Sequence, residues 1–413
     1  MATSTDWITD PKGLGQWPTP EWLVERALDT IELPDEGTVL DPACGDGRWL
    51  QAVHRRNPRL RLWGWDIAPA AIAAARTRVP SATLEVRDAL VLDDSRADLV
   101  VGNPPYVRPQ NLAPEQRARA WTFSTATDKV DLYAPFVERM LQLSPRVAIV
   151  LADTWLSLSS YAAFREHVDP HLDLVARLPK KAFEATIGTV LLVIDPRARH
   201  RRGRLDAEGL VEEGLVRLVD GVFSMEDEVP ILEGGSLLGE HLRLRMGVVC
   251  GSYREWLHKG PPTIGDVRTC RGREVRRFHI AESREWLRYR PREMLARRPY
   301  VAPKSRALFD VPDKVVLAGT SGRTLRCAVD TERRYPLDSC YVSEGAEDSW
   351  LLCGLLNSAP VNAWYGARFP APRVKAVELH RLPWPARTAG IADAARAADQ
   401  EGLDEAVRKA YGC

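Results

Sequence analysis

The chain has 413 residues, 45% hydrophobic and 27% charged, with a formal net charge of +1. That length exceeds one ordinary hydrophobic core, so two domains are expected in what reads as a soluble globular protein. The near-neutral average by itself points to no polyanionic partner, and the lack of an 18-residue apolar run excludes a membrane-spanning helix.

The first half alternates helix-like and strand-like segments. An amphipathic helix over 21–31 is entered through Pro20. "TVLDPACGDG" (38–47) reads as a buried strand and a glycine loop, and "RWLQAVHRR" starts a helix. A strand over 60–67 is followed by a helix over 69–79, then by strands over 82–90 and 97–106. A helix over 131–144, a strand over 146–156, a helix from "SSYAAFREHV" and a strand over 186–195 complete the series. Near-continuous apolar strands alternating with helices predict an α/β fold with a parallel, doubly wound, Rossmann-like sheet. "DPRARHRRGR" (195–204) reads as a polar connector or exposed loop. Beyond about 240 the segments are short, aromatic and Pro/Gly-punctuated, which predicts a second, mixed α+β domain. The expected division is a catalytic domain over 1–238 and a second domain over 239–413, with 390–412 helical.

Three acids fall at successive strand ends: Asp41, Asp66 and Asp88. The loop after Asp41 is not GxGxxG, and a carboxylate repels phosphate. It suits an ammonium or hydroxyls instead, and Asp66 is placed to bind a ribose. Strand carboxyl ends line the ligand crevice of an open α/β sheet. The expected ligand carries ribose, hydrogen-bond donors and positive charge without phosphate, which fits S-adenosylmethionine.

"GNPPY" (102–106) stops the fourth strand with Asn103, Pro104, Pro105 and Tyr106. Two prolines cannot continue a ladder and fix a rigid corner. It presents one side-chain amide, one aimed carbonyl and one ring. "GQWPTPEWLVERAL", "LDPACGDG", "WDI", "RDA", "GNPPY", "LYAPFVERML" and "LPKKAFEATIGTVLLVI" follow one another in an order that resembles the gamma-class, TaqI-like adenine-N6 DNA methyltransferases of restriction-modification systems. The resemblance covers nearly the whole chain. It implies a methyltransferase sheet followed by a DNA target-recognition domain. It implies Thr19 and Pro20 at the methionyl end of the cofactor, and Asp41, Pro42, Ala43 and Gly45 as its loop. Asp66 would hold the ribose, Ile67 and Phe136 would cover the faces of the cofactor's adenine, and Asp88 would accept from its amino group. Asn103, Pro104 and Tyr106 would hold the target adenine, with Phe183 stacking on the flipped base. The sequence departs from the family at Ala89, where an aromatic is common in the cofactor wall, and at Pro18.

Adenine N6 is a weak nucleophile because its lone pair is delocalised. The Asn103 side-chain oxygen and the Pro104 carbonyl can take its two hydrogens and aim the lone pair, with no metal needed. A base inside a duplex must first be flipped out. Residues 268–306 hold 13 Lys/Arg against 4 Asp/Glu, with Phe278, Trp286, Tyr289 and Tyr300 interleaved. That is the footprint of phosphate contacts, and Arg271, Arg273, Arg276 and Arg277 are the expected DNA-binding residues.

Double-stranded DNA is the expected partner, together with a separate restriction endonuclease, and one chain suffices for the chemistry, so a monomer is expected. An RNA or protein-glutamine methyltransferase sharing "NPPY" is the rival reading, and a DNA-binding protein with an inactive fold is a third. A nuclease activity is not expected, because the chain starts at the cofactor segment. Seven scattered cysteines without a CxxC pair and an N-terminus without a basic-then-apolar leader read as a cytoplasmic protein with reduced thiols and no metal site.

Overall fold

The computed structural model describes residues 8, 17–179, 182–183, 188–219, 221–225, 230–297, 301–320, 324–369 and 373–413. The chain divides into two compact units, residues 1–227 and 228–413. Lys180, Lys181 and Tyr300 lie outside the described residues.

In the first unit, β1 (Thr38–Asp41), β2 (Arg61–Asp66), β3 (Thr83–Val86), β4 (Leu99–Gly102), β5 (Val147–Ala152), β6 (Leu172–Arg177), β7 (Thr189–Ile194), β8 (Arg201–Asp206) and β9 (Gly209–Leu215) form one sheet. The order is β3-β2-β1-β4-β5-β7-β6-β8-β9. Alternate residues feed two cores. Leu40, Val100, Ile149 and Leu151 join one cluster. Val39, Leu99, Val101 and Val150 join the other, with α1 (Glu21–Leu28), α2 (Arg48–Arg56) and α3 (Pro69–Arg78). α4 (Pro114–Ala120), α5 (Tyr133–Leu143) and α6 (Ala162–Val168) complete the unit's helices, and α5 and α6 cover the first cluster. Helices on both faces make the sheet doubly wound and Rossmann-like, as expected.

Two features differ from the sequence expectation. The sheet is mixed rather than parallel, because β7 runs antiparallel to both β5 and β6. Part of 195–204 is not a connector either: β8 pairs parallel with β6, and β9 folds back antiparallel on β8. The arginines that disguise this strand are neutralised locally. Arg199 and Arg201 converge on the buried Asp173 at 2.7 and 2.8 Å. Burial would raise the Asp173 carboxyl, but the hydrogen bonds from Arg199 and Arg201 outweigh it and hold the group down at about 2. Arg202 donates to the carbonyls of Leu215, Met225 and Glu213 at 3.1, 2.7 and 2.8 Å.

The second unit contains two four-stranded sheets. One is antiparallel and built from Arg243–Met246, Cys340–Glu344, Lys314–Ala318 and Cys327–Asp330. The other joins Leu257–His258, Trp286–Arg288, Asp266–Cys270 and Tyr335–Pro336. The C-terminal stretch is two helices, Ile391–Ala397 and Gln400–Tyr411. Ala398 at φ +51° ends the first, and the Asp399 side chain caps the second through Gly402.

The Lys314 ammonium is buried 2.5 Å from Asp330, which also accepts from Arg334 at 2.9 Å. Removing the shared acid strands an ammonium in the interior. Asp330→Ala is therefore expected to cost about 3–5 kcal/mol in urea unfolding followed by tryptophan fluorescence. An unchanged midpoint would mean that Lys314 finds water in the variant.

Candidate active site

The strand order reverses between β1 and β4, and a cleft opens beyond the carboxyl ends of β1, β2 and β4. Open α/β sheets bind ligands at this switch point. The empty space in the cleft, open solvent included, is about 960 Å³.

Its floor is set by the glycine loop. The Cys44 amide donates to the Trp65 carbonyl at 2.8 Å, and Gly45 N–H donates to the Asp66 carboxylate at 3.0 Å. Gly47, at φ +80°, then starts α2. The other Asp66 oxygen accepts from Ala68 N–H at 2.8 Å. Burial raises the Asp66 carboxyl, and these two N–H groups only partly offset it.

Asp41 lies beneath the loop and is 1% exposed. Its Oδ1 accepts from Ala43 N–H at 3.1 Å. Its Oδ2 is sealed from solvent with no hydrogen-bond partner among the described residues. Burial pushes this carboxyl well above the usual range; the Ala43 N–H opposes that and the charge on Asp66 adds to it. Asp88, two residues past β3, accepts from Leu90 N–H at 3.0 Å and pairs with Arg119 of α4 at 2.7 Å.

Gly102 must be glycine. Its φ is +147°, and a Cβ there would sit 2.6 Å from Asp41 Oδ1. This close approach brings the next residue, Asn103, into the cleft wall. Asn103 Nδ2 donates to the Trp17 carbonyl at 2.9 Å, which fixes which way the amide faces. Its Oδ1 is buried and has no partner among the described residues. Buried acceptors are normally satisfied, so this oxygen stands out as an unmet acceptor among the described residues.

The wall also contains Thr19, Pro42, Ala43, Gly45, Asp66, Ile67, Asp88, Ala89 and Phe136. Ile67 and Phe136 supply apolar surface. The remaining expected site residues stand elsewhere. Pro20 caps α1, Asp41 lies below the wall, and Pro104 is buried. Tyr106 donates its phenol to the Val150 carbonyl at 2.9 Å and packs 5.9 Å from the Tyr133 ring. Burial pushes the Tyr106 phenol well up. Half-buried Phe183 packs against the core shared with α1–α3 and is not part of the cleft wall.

Several cleft residues were not singled out from the sequence. They include Trp17, Arg48, Arg87 and Gln116. Their only sequence signal is position: Arg48 opens the helix after the glycine loop, and Trp17 precedes the "TP" segment. Arg48 is buried, pairs with both oxygens of Asp46 at 2.8 Å, and donates to the Thr19 carbonyl. Trp49 Nε1 reaches the Thr19 hydroxyl at 3.3 Å.

In the second unit, Arg273, Arg276 and Arg277 are exposed. Arg271 is less free: it pairs with Glu285 at 2.9 Å and lies 4.4 Å over the Tyr253 ring. Arg268 pairs with Glu332 at 2.5 Å, and Arg273 with Glu274 at 2.8 Å. These three of the segment's 13 basic residues are thus matched by neighbouring acids. Among the described residues no cluster of three potential metal ligands occurs, and no helix is long and apolar enough to cross a membrane.

Residues 62–174 match the Eco57I restriction-modification methylase family. The chain is 33% identical over 167 residues to the type II methyltransferase M.TthHB8I of Thermus thermophilus, covering 37% of this chain and 38% of that one. It is 26% identical over 163 residues to the release factor glutamine methyltransferase of Deinococcus radiodurans, covering 35% and 59% of the two chains. The chain thus spans less than two thirds of the length of these relatives. The structure is similar to DrdV in its DNA complex with a TM-score of 0.55, at 12% identity, over 94% of this chain and 57% of that one. At that identity the likeness is one of fold.

Proposed function

We propose that the chain is an S-adenosylmethionine-dependent DNA methyltransferase of the gamma class that methylates N6 of an adenine flipped out of a duplex. The observation that carries this is the Asn103 amide in the cleft wall: its nitrogen is tied to the Trp17 carbonyl, and its buried oxygen has no partner among the described residues.

The donor set fits the cofactor. Asp66 and Asp88 are acceptors for hydroxyls and a ring amino group, Ile67 and Phe136 flank a flat ring, and Asp41 is a buried acid beside the loop. When bound, the cofactor supplies an activated methyl group on a sulfonium. The protein's part is positioning. Asn103 Oδ1 and the Pro104 carbonyl accept the two hydrogens of the amino group, which turns its lone pair toward the methyl. The hydrogen bonds strengthen as positive charge grows on that nitrogen, so they favour the transition state over the ground state. The methylated nitrogen is then strongly acidic and gives up its proton without a dedicated base. Tyr106 and Phe183, each half-buried, are the rings assigned to the displaced base, where stacking contributes about 1–3 kcal/mol per base. The second unit is assigned the reading of DNA, and a restriction endonuclease is the assigned partner in a cell.

The test is incubation of the purified chain with tritiated-methyl S-adenosylmethionine and unmethylated genomic DNA, followed by digestion to nucleosides and sequencing that maps modified sites. N6-methyladenine at one short motif supports the assignment. Cofactor binding with no label in DNA moves it to an RNA or protein-glutamine substrate, and no cofactor binding leaves an inactive fold.

Alanine at Arg273, Arg276 and Arg277 together is expected to weaken DNA binding and to flatten the plot of log affinity against log salt. The slope should change by about 0.9 for every phosphate the variant no longer neutralises. Fluorescence anisotropy at several salt concentrations reads the slope. An unchanged slope would make the segment a solvated basic face.

A further inference from the structure

The cofactor assigned above ends in a zwitterion, and none of the residues assigned to it so far is a cation that could face its carboxylate. We propose that Arg48 is that counter-ion and so a cofactor-binding residue; this rests on the assignment of the cleft to S-adenosylmethionine.

Three observations support it. Arg48 lines the cleft, yet it is only 8% exposed. A buried guanidinium at a ligand wall is poorly hydrated and gains from an anion. Second, Arg48 does not have its paired acid to itself. Asp46, 3% exposed, is shared between Arg48 and Arg78, each at 2.8 Å. Burial would raise the Asp46 carboxyl, but these two guanidiniums hold it below the usual range, so it stays charged. Two cations therefore share one buried anion, and among the described residues the only further acid on Arg78 is the exposed Glu21 at 3.3 Å. Third, three of the five N–H groups of Arg48 are used: Nε and Nη2 on Asp46, and Nη1 on the Thr19 carbonyl. Each terminal nitrogen keeps one N–H, which is what a carboxylate takes from an arginine fork. The tie to Thr19 also places this fork beside the segment assigned to the methionyl end. Arg87, the other arginine in the wall, is committed elsewhere: its guanidinium lies 4.0 Å over the Trp65 ring and pairs with Asp93.

Arg48 could instead be only a clamp between Asp46 and Thr19, so the experiment separates binding from scaffolding. Calorimetry on the full chain compares S-adenosylhomocysteine, its α-carboxamide, and 5′-methylthioadenosine, which lacks the amino-acid end. The wild type should prefer the acid to the carboxamide by about tenfold or more, as a charge-assisted pair of hydrogen bonds implies. In Arg48→Met that preference should shrink to about twofold, while 5′-methylthioadenosine binds as in the wild type within about threefold. Arg48→Lys should keep part of the preference, since it retains the charge and loses the fork. A preference that persists in Arg48→Met, or a loss of equal ratio for all three ligands, would overturn the proposal. So would a wild type that binds acid and carboxamide alike, a result that needs no variant to fold. A wild type that binds none of the three overturns the cleft assignment itself, which is a different failure.

Discussion

Asn103→Ala is expected to slow methyl transfer by about a hundred- to a thousand-fold, the scale seen when one aimed polar group is removed from a transition-state site. Cofactor affinity should stay within about threefold, because the group acts on the other reactant. Single-turnover transfer and calorimetry with S-adenosylhomocysteine measure the two separately, and full turnover in the variant would sink the mechanism. Asn103→Asp is the sharper companion. The amide nitrogen now donates to the Trp17 carbonyl at 2.9 Å. A carboxylate would set an oxygen against that carbonyl, so the side chain must turn away or take a proton. Activity in this variant should therefore be low at neutral pH and rise as the pH falls. A flat profile would show that the Trp17 contact does not orient the side chain.

Asp41→Asn should make the unliganded protein more stable and the cleft weaker. The folded state holds the Asp41 carboxyl well above its ordinary value of 3.8, chiefly through burial. Between that value and the raised one, the native state binds more protons than the unfolded chain. Stability therefore falls as pH rises through the window, and is retained below 3.8. The amide carries no charge and escapes this loss. The melting temperature of Asp41→Asn should exceed that of the wild type at pH 7–8, and the gap should close toward pH 4. On the reading that gives the cofactor's ammonium to Asp41, affinity for S-adenosylhomocysteine should drop by about tenfold or more. A gap that does not vary with pH would show that Asp41 titrates in the folded state as it does in the unfolded chain.

The order of strands and helices was legible because buried strands such as "VAIVLA" and amphipathic helices announce themselves over short windows. Asp66 and Asp88 were legible as cleft residues, since strand ends in this class of sheet face a common crevice, whereas Asp41 lies beneath the loop. Interactions between distant residues were not legible. "RHRRGR" looks like a solvated loop until Asp173, some 30 residues earlier, is placed beside its arginines. Tyr106 looked like a free ring, but its phenol is spent on a carbonyl 44 residues away. The contribution of Trp17 to the site includes a backbone carbonyl, which no residue identity reveals. Arg271 counted as free charge until Glu285 and Tyr253 took up its guanidinium.

The packing of Asp41 against Gly102 means that the two halves of the cleft cannot be tuned independently. The acid beneath the cofactor loop touches the backbone that carries Asn103, with no side chain between to absorb a shift. Whatever draws on that carboxylate changes the footing of the amide, and the reverse holds with equal strength, since such linkage is reciprocal. On the proposed assignment, whichever of the two ligands binds first should change the affinity for the second.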